Sequence, residues 1–119
     1  MRYMMFVATD PDLDPALEDP GEDNIEEWVT EHDASGARVL GERLRPAEDS
    51  TTVRRRGGKV LVTDGPFAES REWIVGFDVL ECADLDEAIA VAAEHPMARH
   101  GRLELRPFWP FEHSDGSPA

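Results

Sequence analysis

The chain has 119 residues, of which 12 are basic and 26 acidic, for a net charge of −14. That size bounds one domain with a modest core, and that charge disfavours nucleic acid and anionic membranes as partners, since both need local positive charge. No run of about 18 apolar residues offers a membrane span, and the single cysteine, Cys82, excludes an internal disulfide and a cysteine-based zinc cluster. The charge is uneven. Asp10 to Asp33 holds eleven acids and no Lys or Arg, whereas Arg38 to Lys59 holds seven basic residues and three acids. A solvated acidic face explains this, and so does self-association of opposite patches.

The opening run, Met1 to Val7, is too short for a signal peptide and reads as a first strand, so the expected location is the cytoplasm. Residues 2–8 are apolar on both alternating faces, which predicts a central strand buried on two sides. Asp10 to Asp23 is acidic and proline-bearing, and predicts a loop. Ile25, Trp28, Val29 and His32 recur at helical spacing, and Gly36 ends that helix. Residues 37–45 predict a second strand, stopped by Pro46. Two strand-like runs then flank Gly57-Gly58, a two-residue hairpin turn. Trp73 to Leu80 predicts another strand, with Trp73, Val75, Phe77 and Val79 on one face. Asp84 and Glu87 have capping-box spacing, and Leu85, Ala88, Ile89 and Ala92 form the apolar stripe of a second helix that Pro96 breaks. Leu103, Leu105 and Pro107 mark the last strand. Residues 1–110 are thus expected to form the domain, and 111–119 a polar tail.

Without its hairpin this order is β-α-β-β-α-β, the ferredoxin-like α+β arrangement. Two helices cover one face of a four-stranded sheet. Strands apolar on both faces need a second cover, and the chain has no segment left to supply it. A second copy is the economical answer, and the expected assembly is a homodimer through the sheet face, a dimeric α/β barrel.

Between the hairpin and the third core strand stands Thr63-Asp64-Gly65-Pro66-Phe67-Ala68-Glu69. Gly65 can take φ > 0, Pro66 fixes its own φ, and Asp64 can bond back to the following backbone. Phe67 puts a ring at the loop tip, where rings are buried or bind something. Together with Gly41-Glu42-Arg43-Leu44, Gly76-Phe77, Ala83-Asp84-Leu85-Asp86-Glu87-Ala88 and Glu104-Leu105-Arg106-Pro107, this loop resembles the signature of the YCII-related (DGPF-motif) family of small bacterial proteins. The resemblance runs from about Arg2 to Trp109 and implies the same dimeric α/β barrel. It assigns no reaction. A few relatives act as small lyases that eliminate chloride from a ring substrate, using an Asp before a proline paired with an early His. Here His95-Pro96 occupies the former place and Asn24 falls near the latter, so the pair does not carry over. The resemblance also implies gene neighbourhoods with extracytoplasmic-function sigma factors.

Two functions follow as alternatives. One is a small-molecule cleft beside the Asp-Gly-Pro-Phe loop, lyase-like if catalytic. The other is a non-catalytic regulatory or interaction module. For the first, Asp64 and His95 are the candidate catalytic residues, as a loop carboxylate and a near-neutral base. Asp64 serves equally as a turn-former, and His95 as a histidine favoured by the helix C-terminus. Gly65, Pro66, Phe67 and Glu69 on the loop are candidate ligand contacts. So are Trp73 beyond it and Trp28 and His32 on the first helix, although His32 also fits a satisfied core histidine. No cofactor and no metal site is expected. Asp10, Asp12 and Asp14 mimic half a calcium loop, but Pro15 stands where its glycine belongs. Arg54, Arg55, Arg56 and Lys59 on the hairpin are either solvated, a clamp for an anion, or a match for a partner chain's acids. Cys82 precedes a helix N-terminus, which lowers a thiol pKa, and also fits a buried filler.

Overall fold

A computed structural model of the chain describes residues 1–17, 19, 21, 23–65 and 73–111. In chain order it has β1 (Arg2–Thr9), α1 (Ile25–Ser35), β2 (Arg38–Arg43), β3 (Thr51–Arg56), β4 (Lys59–Asp64), β5 (Ile74–Glu81), α2 (Leu85–Ala93), α3 (Met97–His100) and β6 (Gly101–Pro107). Four strands form one antiparallel sheet in the order β2-β5-β1-β6. That order and the interleaved helices are compatible with a ferredoxin-like α+β fold. β3 and β4 pair with each other in a separate two-stranded sheet.

The apolar alternation of β1 sorts its side chains. Tyr3, Met5 and Val7 point into a core with Trp28, Leu80, Ala88, Val91 and Ala92. Met4 and Phe6 therefore point the other way, opposite Val79 and Phe77 of β5. Among the described residues no helix covers that second face, and the edge positions beside it on β6 are Arg106 and Glu104. The helices begin where their caps begin. Asn24 Oδ1 accepts from the Glu27 amide, and Asp84 Oδ1 from the Glu87 amide, each at 2.9 Å. Glu87 reaches back to the Ala83 amide at 3.0 Å, a reciprocal bond shifted one residue from the usual capping box.

Two expectations shift. The buried stripe of α2 is Ala88, Val91 and Ala92, while Leu85 and Ile89 are half exposed. Small residues let α2 lie close to the sheet and tilt the larger ones outward. The segment after Pro96 forms a further short helix, α3, because proline is well suited to the start of a helix. Cys82 is buried, and burial pushes its thiol pKa up, with the Glu87 charge adding to the effect. It is a packed filler and not an activated thiol.

Gly57 and Gly58 both have positive φ, 57° and 76°, as the tight hairpin turn requires. Gly65 lies at φ 97°, with its amide donating to Ser50 O at 2.7 Å and its carbonyl accepting from Thr52 Oγ1 at 2.7 Å. Among the described residues nothing lies within 4 Å of where a Cβ would stand on Gly65. A side chain there meets backbone strain and no steric wall. Gly65→Val is therefore expected to destabilise the protein by about 1–3 kcal/mol, read as a lowered melting temperature.

Candidate functional site

The buried polar residues gather on the helix-covered side of the sheet. Asp78 sits in the middle of β5 and is buried. Its Oδ1 accepts from Arg38 Nε at 2.7 Å. Arg38 also donates from Nη1 to Asp33 Oδ1 at 2.9 Å and from Nη2 to the Gly41 carbonyl at 3.0 Å. Register explains the convergence, since Gly41 and Asp78 are direct cross-strand partners. A Cβ on Gly41 would run into Asp78 Oδ1 and Arg38 Nη2. Gly41 thus makes room for the ion pair. Burial pushes the Asp78 carboxyl up from its ordinary value, against the hydrogen bond and charge of Arg38.

A cleft of about 1030 Å³ opens beside this pair. β2 and β5 form one wall, through Gly41, Arg43, Gly76 and Asp78, and the start of α1 and the 95–100 segment form the other. Three sequence blocks singled out above, Gly41 to Leu44, Gly76-Phe77 and His95-Pro96, all contribute to its lining. Asp23 closes one end and accepts from His100 Nε2 at 2.8 Å and Arg99 Nη2 at 3.0 Å. Those bonds, His100 first, hold its carboxyl below the usual range.

His95 lies in the cleft wall, only 5% exposed. The edge of its ring meets Trp28 at 4.7 Å between centroids, and the Trp28 ring also faces His32 at 5.1 Å. Burial lowers the His95 pKa to about 4, so the ring is neutral at pH 7. The Met97 amide donates to His95 Nδ1 at 3.0 Å, which puts the ring's single proton on Nε2. His95 in this state presents an N–H donor, not the base expected from its type. The cause of the lowering is burial.

The other candidates fall in several places. Trp28 is 3% exposed and its Nε1 donates to the Val91 carbonyl at 2.9 Å, so it is core beside the cleft. His32 is buried, with Nε2 on Glu94 Oε2 at 3.0 Å. This is the satisfied histidine of the plainer reading. With Glu31 these two residues bring one potential metal-ligating atom each to within 4.8 Å of one another. Asp64 ends β4 opposite Thr51, exposed, and neither it nor Gly65 lines the cleft. Trp73 is half buried and carries the Arg102 guanidinium 5.2 Å above its ring. Pro66, Phe67 and Glu69 lie outside the described residues. The structure therefore brings His95, Trp28 and His32 together and leaves Asp64 apart from them. Asp78 and Arg38 were not singled out from the sequence. One signal was there, a lone acid inside the apolar run Ile74 to Leu80.

A family model, the YCII-related domain, matches residues 1–112. An uncharacterized protein of Rhizobium meliloti (strain 1021) is 42% identical over 67 residues, which is 55% of this chain and 54% of the relative. The match spans about half the length of that curated relative.

The sign of the His95 shift gives a pH dependence. A histidine whose folded pKa is depressed stabilises the fold fully above its unfolded value of about 6.5, and that contribution is lost as the pH falls towards about 4. The loss expected across this window is about 3 kcal/mol, at about 1.36 kcal/mol per pKa unit. Denaturant melts at about pH 7 and about pH 4.5 measure it, and His95→Gln is expected to remove most of that slope. Gly41→Ala should separately lower the melting temperature by several degrees, by displacing Asp78 and Arg38.

Proposed function

Given that the chain belongs to the YCII-related domain family, we propose that it binds a small organic molecule in the cleft between β2, β5 and the 95–100 segment. The observation that carries this reading is the neutral His95 in the cleft wall, with Nδ1 held by the Met97 amide and a proton left on Nε2. Such a group donates to a carbonyl, carboxylate or phosphoryl oxygen. The buried Asp78–Arg38 pair supplies fixed polarity on the opposite wall. Apolar stretches of wall from Val7, Val29 and Val75 would hold the body of the ligand.

If the site is catalytic, the carboxylate best placed for proton transfer is Asp78, because the His95 lone pair is already engaged. A lyase-like elimination would then run through Asp78 as base and His95 as donor. Asp64 stands outside the cleft, and a role for it would rest on its charge and not on its turn geometry. The alternative, a non-catalytic regulatory module associated with an extracytoplasmic-function sigma factor, requires no ligand in the cleft. The protein as a whole is read as a bacterial, cytoplasmic homodimer. Met4, Phe6 and Phe77, only half buried, give its uncovered sheet face an apolar centre. No described helix is long and apolar enough to cross a membrane.

Native mass spectrometry of the purified protein, with a thermal-shift screen of small carbonyl and carboxylate compounds, tests the binding reading. A hit is expected to bind wild type at least about tenfold more tightly than His95→Phe, whose far-UV circular dichroism should match wild type. Asp64→Asn separates the loop's two roles, since it leaves turn geometry intact. Because Asp64 does not line the cleft, unchanged melting temperature and unchanged binding there are the expected result; weaker binding would give its charge a role. A hit that binds His95→Phe as well as wild type would remove the donor role. Absence of any hit would favour the regulatory module. Light scattering at micromolar concentration should return at least twice the 13.3 kDa chain mass. A value equal to one chain would rule out the sheet-face pairing.

A further inference from the structure

We propose that the β3–β4 hairpin is a docking arm for a second copy of this chain, seated by a valine face and by its cationic tip. β3 and β4 bond to each other and to no strand of the main sheet. None of their residues belongs to the hydrophobic core. A two-stranded ribbon standing alone is marginal in water and needs a cover.

The register states what that cover must fit. Val53 stands opposite Val62, and Arg55 opposite Val60. Strand alternation puts Val53, Val60 and Val62 on one face, and they are 64%, 54% and 60% exposed. Three branched apolar side chains side by side on an uncovered ribbon face mark a contact surface.

The charge identifies the occupant. Arg54, Arg55, Arg56 and Lys59 make no ion pair among the described residues, although the chain carries 26 acids. Elsewhere Arg2, Arg38, Arg45 and Arg106 each reach a carboxylate of their own chain. Arg54, opposite Leu61 on the other face, is half-buried and its Nε has no hydrogen-bond partner among the described residues. The matching surface is on α1. There Glu26, Glu27 and Glu31 line a shallow recess with Asn24 and Thr30, and these three carboxylates make no ion pair either. Among the described residues no hydrogen bond or ion pair joins the arm to α1 of its own chain. A second copy brings the same acidic recess within reach of the arm, and the arm's charges steer it there. The contact is distinct from the sheet-face pairing proposed above and does not depend on it.

Sedimentation equilibrium on four variants tests this. They are Val53→Glu with Val62→Glu, Arg55→Glu with Arg56→Glu, Glu26→Arg with Glu27→Arg and Glu31→Arg, and the sheet-face change Phe6→Asp. Each arm variant is expected to self-associate about tenfold or more weakly than wild type, with an unchanged far-UV spectrum. Mixing the arginine-reversed and the glutamate-reversed proteins should restore association between them. If the valine variant fails to fold, the charge-reversed pair still decides, because Arg55, Arg56, Glu26, Glu27 and Glu31 are all exposed. Wild-type association in both arm variants would overturn the proposal. So would no recovery on mixing, or a lowered melting temperature in the valine variant with association unchanged, which would mean that the valines pack within one chain. Loss of all association in Phe6→Asp alone, with the arm variants unaffected, would leave the sheet pairing standing and the arm proposal refuted.

Discussion

Trp28 is the contact on which the rest of this structure depends. It reaches from the middle of α1 into the core and is almost wholly removed from water. Its indole N–H donates to the Val91 carbonyl near the end of α2, so one side chain locks the two helices together. A buried indole without that acceptor would carry an unpaired donor in the core. The same ring shields His95 from solvent on one side and touches His32 on another. Packing, helix docking and the protonation state of a cleft residue thus share one cause. α2 can approach this closely because its inward positions are Ala88, Val91 and Ala92.

On the sheet side the comparable constraint is the Arg38–Asp78–Gly41 set. A carboxylate in the interior of a strand is costly unless a cation answers it. Arg38 does so from the edge strand, and it is itself tied to Asp33 at the end of α1. A glycine at position 41 leaves the volume that these two side chains fill. The result is a polar seam along β2 and β5, facing a histidine on the opposite wall. A cleft with an ion pair on one side and a neutral donor on the other suits a ligand with an oxygen at one end and an apolar body.

The hairpin obeys a different rule from the rest of the fold. The main sheet is stabilised by its core, whereas β3 and β4 rely on ladder bonds and on a turn made of two left-handed glycines. Their valines are exposed, and their cations make no ion pair among the described residues. In a chain this acidic, the hairpin gathers positive charge while α1 carries negative charge.

Much of this protein was legible in its residues. The alternation of β1, the helical spacing of Trp28 and His32, the Asp84 cap, the Gly57-Gly58 turn and the positive φ of Gly65 all follow from local chemistry acting over a few positions. So does the element order, and with it the α+β class. Membership of the family was carried by short motifs whose residue types are each uncommon in combination. The cleft was not legible in the same way. Asp78, Arg38 and Gly41 lie up to forty positions apart and meet only through strand register, which no local pattern encodes. The role of His95 depended on where tertiary packing set Trp28 and the Met97 amide. Its residue type suggested a base near neutrality, and burial together with one backbone hydrogen bond made it a neutral donor. Local sequence determined which segments become strands, helices and turns, because propensity, capping and periodicity act within a turn or two. Only the tertiary structure decided which polar groups share a cavity and which of them holds a proton, because desolvation and cross-strand contact are properties of the folded chain.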